Sequence, residues 1–315
     1  AEIYRCTRPT VGRAGVRQPL LRAARGLLVL ATVAFLASSA ARDLKDYLVV
    51  WPAQGLVRFL YRADYRAAAR YLDSQPAVVD VAVGSALMGP WDRLALADDL
   101  QRQDVRARLF DPRRVLPLAV GHAAPVIVVT AFPQPDPLLA PALGQPGWEQ
   151  GELRLYRPAA PPPAAEPLAL FANGLELCGV TWPAGEAAPG QELVVGLSWR
   201  VVHALGLPPI PVVAFPAPPG VYAGPRLSVF THLVAGDGAF VAGDDGLWMD
   251  PTTLQPNDRF MQLHRFPLPD DVPDGPYAIH LGLYDPLTGV RQAVLDAQGQ
   301  PVADHFVLPV GRSDS

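Results

Sequence analysis

The run GLLVLATVAFLASSAA, residues 26–41, carries no charge and is bracketed by Arg25 and Arg42. No other feature constrains the chain as much, because an apolar run of this length must be hidden from water. A spanning helix needs about 20 apolar residues, with a short limit of about 17. Leu20 and Leu21 lie just upstream, and the long side chains of Arg22 and Arg25 can reach back to the interface. The usable span is therefore 20–42. Before it come Arg5, Arg8, Arg13, Arg17, Arg22 and Arg25 against one acid, Glu2; after it the charges are mixed, Arg42, Asp43, Lys45 and Asp46. Positive flanks stay in the cytoplasm. Residues 1–19 are expected inside, and everything after about residue 42 outside, the cell membrane.

Two rival readings account for the same run. A basic segment, an apolar run and the small residues "ASSAA" also describe a signal peptide. Against that, the basic segment is long and opens "AEIYRCTRPT", without Met, which reads as the tail of something longer or an imperfect gene start. A soluble core helix would be apolar all round and flanked by six arginines, for which a soluble fold has little use. The span and the signal peptide agree that the remainder is extracytoplasmic.

The rest is too polar for further spans: half of the 315 residues are hydrophobic and 18% are charged. A net charge of -4, with no basic patch interleaved with aromatics, gives no sign of a nucleic-acid partner. Cys6 and Cys178 are too few and too distant for a disulfide framework or zinc set.

Behind the span, Trp51, Phe59, Tyr61 and Tyr65 stand where aromatic rings settle at a membrane exit. Asp64 is a candidate N-cap for a helix with Tyr65, Ala68, Ala69 and Leu72 on one face, stopped by Pro76. Strands are expected at 77–85, 105–111 and 124–132, a helix at 89–103 and an edge strand at 151–158. Strand, helix, strand at this spacing is a βαβ unit, so residues 43–158 read as a small α/β domain with a partly parallel sheet. Gly84 and Gly89 have the outer spacing of a phosphate loop, but Pro90 and Trp91 stand where Lys and Ser or Thr must follow, so a plain turn is the reading. The Pro-rich segment 159–166 reads as a linker.

From 167 to 311 the pattern changes to short alternating runs separated by turns such as "GDG" at 236–238, "DG" at 274–275 and "TG" at 288–289. In "YAIHLGLYD", Ile279, Leu281 and Leu283 face one way and Ala278, His280 and Gly282 the other. This predicts an all-β sandwich interrupted by a long Pro-rich loop, 205–225. The fold class is α+β multidomain: one N-terminal transmembrane helix, a small α/β domain, then the sandwich.

No metal, nucleophile-elbow or catalytic motif is present, and no cofactor is expected. His232, His264 and His280 fall on expected strands and read as structural or solvent-facing histidines. In "GDDGLWMD", Asp244, Asp245 and Asp250 offer loop oxygens of the kind calcium uses, although a solvated acid cluster is the commoner arrangement. Trp248 offers a platform for a sugar ring, or a plug for the end of the sandwich, the latter being the usual fate of such a ring.

The order of these parts, with "LSVFTHLVAGDGAFVAGDDG", "PTTLQPNDRFMQLHRFPLPDDVPDGPYAIHLGLYDPLTGVRQ" and "DHFVLPV", resembles the C-terminal half of bacterial multi-span glycosyltransferases. The superfamily is that of protein mannosyltransferases and lipid-A arabinosyltransferase-like enzymes, especially long Chloroflexi-type members, and the resemblance covers about residues 20–310. It implies a sandwich hanging outside the membrane after the last spans and a polyprenyl-phosphate-linked sugar as donor. It also implies a catalytic acid in the first extracytoplasmic loop. That acid and its spans have no counterpart here, so no catalytic residue is carried over and the chain is expected to be inactive alone. The alternative is a membrane-anchored carbohydrate- or protein-binding module.

Overall fold

The computed structural model describes residues 17–121, 125–130, 132–151, 153–159, 166–184, 189–214, 216–272 and 276–310. Cys6, the arginines at 5, 8 and 13, the linker core 160–165 and the turn 274–275 lie outside them. The chain forms two compact units, Ala1–Tyr61 and Arg62–Ser315.

In the first unit, α1 (Arg17–Lys45) continues through a π-helical turn, Asp46–Val50, into α2 (Trp51–Ala53); α3 (Gly55–Leu60) follows. The stretch Leu20–Ala53 is long and apolar enough to cross a membrane, and none of it is buried within the protein. The helix does not stop at residue 42, where the charges begin. Arg, Asp and Lys are tolerated in a helix, and no breaker appears until Pro52. Proline cannot bond the carbonyl four residues back, and the widened turn 46–50 directly precedes it. The rings of Tyr47 and Trp51 stack along this extension at 5.6 Å.

The second unit opens with α4 (Ala63–Asp73), then β1 (Asp80–Gly84), α5 (Pro90–Asp99), β2 (Arg106–Phe110), β3 (Val115–Ala119), β4 (Ile127–Val129), α6 (Ala140–Leu143), β5 (Trp148–Gln150) and β6 (Leu153–Tyr156). Tyr65, Ala68, Ala69 and Leu72 of α4 are all buried, as their spacing predicts. The N-cap is Arg62 at φ 50°, not Asp64, which sits in the first turn. One mixed sheet has the order β2-β1-β4-β6-β5, with β1 parallel to both β2 and β4 and the other pairs antiparallel. The expected edge strand is β6, but β5 pairs outside it and forms the edge.

Ten further strands follow: β7 (Ala169–Phe171), β8 (Leu175–Ala184), β9 (Glu192–Val201), β10 (Ser228–Ala235), β11 (Phe240–Gly243), β12 (Arg259–Pro267), β13 (Tyr277–Tyr284), β14 (Val294–Leu295), β15 (Pro301–Ala303) and β16 (Phe306–Val310). Together with β3 they build a four-stranded sheet, β11-β10-β13-β16, and a seven-stranded one, β15-β14-β7-β8-β9-β12-β3, with antiparallel pairing throughout. Ile279, Leu281 and Leu283 point into the core as the alternation requires. The described residues between 202 and 227 form neither helix nor strand.

The change of pattern at 159–166 does not separate two independent bodies. Strand β3 comes from the α/β half yet closes the edge of the seven-stranded sheet against β12. The mixed sheet is also covered on both faces. Val81, Val83 and Val128 pack with Tyr65, Ala69 and Leu96 of the helices. Ala82, Ile127 and Val129, on the alternate positions, join the main core with Phe260 and Leu263 of the sandwich. Two covered faces explain why β1 and β4 are apolar on both sides.

Candidate functional site

The loop after β11 carries the four residues singled out from the sequence. The structure brings them beside the α/β half rather than to an open end of the sandwich. The backbone N–H of Asp111 donates to the Trp248 carbonyl at 2.9 Å, the N–H of Asp250 donates to the Leu109 carbonyl at 2.9 Å, and Phe110 bridges Met249. The loop is thereby stitched across the end of β2.

Each acid has its own partners. Asp244 Oδ2 accepts from Arg114 Nη1 at 2.8 Å and from the Arg265 N–H at 2.6 Å. Burial raises the pKa of Asp244 above the ordinary carboxylate value, while those two donors pull it back. Asp245 Oδ1 accepts from the Thr231 N–H at 3.2 Å and lies 3.4 Å from His232 Nε2. Asp250 Oδ1 accepts from the N–H and hydroxyl of Thr252 at 3.0 and 2.6 Å, and its Oδ2 is buried with no hydrogen-bond partner. Among the described residues, no three His, Cys, Asp or Glu side chains are grouped to hold a metal.

Trp248 is half-buried against the main core at φ 49°. The Arg114 guanidinium carbon lies 4.6 Å from its ring centroid, and the His264 ring is 4.8 Å away. Gly246 precedes it because a Cβ there would stand 2.5 Å from the indole. The ring is thus packed between Arg114, His264 and the main core.

Beneath the loop lies His264, fully buried on β12. Its Nδ1 is 2.7 Å from the Asp244 carbonyl and 3.0 Å from Thr231 Oγ1, and Gln262 Nε2 meets its Nε2 at 2.5 Å. A carbonyl only accepts, so Nδ1 carries the proton and Nε2 accepts from the Gln262 amide. Desolvation lowers the pKa of His264 to about 3, so the ring is neutral. His232 and His280 are cross-strand partners on β10 and β13, and His280 stacks on His305 at 4.6 Å.

A second polar cluster escaped the sequence reading. Asp92, fully buried in the first turn of α5, accepts from Arg62 Nε at 2.6 Å, from the Tyr65 hydroxyl at 3.2 Å and from the Ser85 hydroxyl. Ser85 Oγ in turn accepts the Met88 N–H at 2.7 Å. Burial, reinforced by the neighbouring carboxylate, pushes the Tyr65 phenol well above its usual pKa. With Ser85 buried, this network ties the start of α4 to the β1–α5 turn. Cys178 is a free, buried thiol whose pKa is raised by burial.

No family model matches the chain, and no curated protein matches it. Among solved structures, the crystal structure of the C-terminal domain of wzt is similar over 47% of this chain and 80% of that one, at 12% identity and a TM-score of 0.26. A likeness that slight carries no inference about function.

Proposed function

We propose that this chain is the membrane-anchored, extracytoplasmic C-terminal region of a multi-span glycosyltransferase that uses a polyprenyl-phosphate-linked sugar, and that it is inactive without the catalytic spans. The order of parts carries this reading: an exposed apolar helix of membrane length, Leu20–Ala53, then a mixed α/β sheet, then antiparallel sheets. That order agrees with what the sequence resemblance implies. The arginine-rich flank of the helix supports an orientation with residues beyond it outside the cytoplasm.

Transfer from a lipid-linked donor needs a base within hydrogen-bond reach of the acceptor. The uncharged run 26–41 offers none; Asp43 and Asp46 are exposed and flanked by Arg42 and Lys45. The buried carboxylates Asp92 and Asp258 hold arginines, as structural groups do. The test compares membranes holding this chain alone with membranes in which it is joined to the spans encoded in frame upstream, both given radiolabelled donor. Incorporation only in the second is expected. Incorporation by the chain alone, lost in Asp43→Asn or Asp46→Asn, overturns the proposal.

A further inference from the structure

The carboxyl edge of the mixed sheet carries large apolar side chains that stay about half or more exposed, with Trp91 Nε1 donating to the Val213 carbonyl at 3.1 Å. Leu87 in the β1–α5 turn is 60% exposed, Trp91 and Leu94 on α5 are 52% and 45% exposed, and Phe132 beyond β4 is 52% exposed. They belong to one edge. The register pairs Gly84 with Phe110 and Val83 with Val128, so β1, β2 and β4 end together, and Pro112 lies against Gly84. Trp91 and Leu94, three apart, share the face of α5 opposite buried Asp92 and Leu96. Arg113 stands 5.7 Å from the Phe132 ring centroid, a cation over an aromatic face.

The chain enters the unit at this same edge. Arg62, its first residue, is held there by Asp92, which also holds Ser85 of the β1–α5 turn. Between the end of the membrane-length helix at Ala53 and Arg62 lie only residues 54–61. A run that short reaches at most ~28 Å when fully extended. Leu56, Leu60 and Tyr61 within it are themselves exposed.

We infer that this edge of the second unit, with Leu87, Trp91, Leu94 and Phe132, docks into the lipid interface of the membrane that the N-terminal helix crosses. The inference rests on the membrane reading of that helix. Trp, Phe and Leu backed by Arg is the composition that partitions into a headgroup layer. The unit would then be held on the bilayer in one orientation rather than swinging on a tether.

The experiment uses the full chain with Cys6→Ser in bilayers containing acyl-chain-quencher lipids. An environment-sensitive fluorophore is placed in turn on Leu87→Cys, Leu94→Cys, Val33→Cys within the helix, and Val302→Cys on β15, at the far edge of the seven-stranded sheet. Quenching to about half at positions 87 and 94, strong quenching at 33 and none at 302 are expected. Quenching at 33 with none at 87 and 94 overturns the docking and leaves the span standing. Equal quenching at 302 overturns the docking by showing unselective contact. No quenching at 33 removes the membrane reading and the docking with it. All four positions are exposed, so the substitutions disturb no packing.

Discussion

Arg108 on β2 grips Asp258, 150 residues away, with Nε to Oδ2 at 2.9 Å and Nη2 to Oδ1 at 3.1 Å, and both side chains are nearly fully buried. Asp80 takes the third nitrogen at 2.6 Å. Asp258 also receives the N–H groups of Gly121 and Gln255. Burial alone would lower the pKa of Arg108, and its carboxylate partners more than reverse this. Arg108→Met leaves Asp258 buried without its counter-charge and should cost about 3–5 kcal/mol. Arg108→Lys, which keeps the charge and loses the fork, should recover part of this. Denaturant midpoints of the three proteins check it; an unchanged midpoint in Arg108→Met would mean the pair is not a structural clamp.

The same clamp bears on where the chain can be cut. A fragment of residues 166–311 lacks both β3 and Arg108, leaving β12 an open edge and the apolar faces of Phe260 and Leu263 less covered. It should be less stable than residues 62–311 and prone to associate. Size-exclusion chromatography with thermal melting distinguishes the two, and equal, monomeric stability would show that the sandwich needs nothing from the α/β half.

What was legible in the sequence was local. Tyr65, Ala68, Ala69 and Leu72 announce a helix face, and Ile279, Leu281 and Leu283 a strand face, because periodicity needs no distant partner. Strand β3 was not legible: VLPLA is short and has Pro117 at its centre. Such a residue is tolerated here because β3 is the outermost strand of its sheet. The loop at 244–250 was visible as acids and a tryptophan, but its meaning depends on Arg114, 130 residues upstream. Nothing along the chain marks that arginine as the partner. Asp92 was equally hidden, since its burial follows from the packing of α4 on α5.

Gly246 sits at φ 154° with a prospective Cβ inside contact distance of the Trp248 indole. Gly246→Ala should displace the ring from Arg114 and His264 and cost about 1–3 kcal/mol. Trp248→Ala should relieve the clash but lose the packing, so the double variant should be no worse than Trp248→Ala alone. Additive losses in that double-mutant cycle would show that the glycine is required for something other than the ring.

A phosphatase reporter fused after Val310 checks the orientation. Six arginines precede the apolar run, so the reporter should be active with the chain as it stands. Arginines moved from the N-terminal flank to positions just beyond the helix should reduce that activity. An inactive reporter on abundant protein would place the sandwich in the cytoplasm and remove the proposed function.

The buried His264 sets how stability varies with pH. Unfolded, the ring titrates near 6.5; folded, burial lowers this to about 3. Between those values the unfolded chain binds a proton that the folded one refuses, so the contribution is fully present above 6.5 and is lost as pH falls. At 1.4 kcal/mol per unit, about 2 kcal/mol should be gone by pH 5. The acids whose pKa values partners hold down, Asp285 by Arg226 and Asp304 by His305, lose their support only below about pH 4, so over pH 4.5–6.5 the groups to weigh are the histidines and Asp244. His280, also lowered chiefly by desolvation, adds in the same direction, and Asp244, raised by burial, opposes it. The His264→Gln variant cannot take up a proton, so its denaturation midpoint should fall less steeply over that window, even if it is weaker at pH 7 because Gln262 or the Asp244 carbonyl is left unmatched. Parallel pH profiles for the two proteins would show that His264 stays neutral for no energetic reason, or that another group carries the slope.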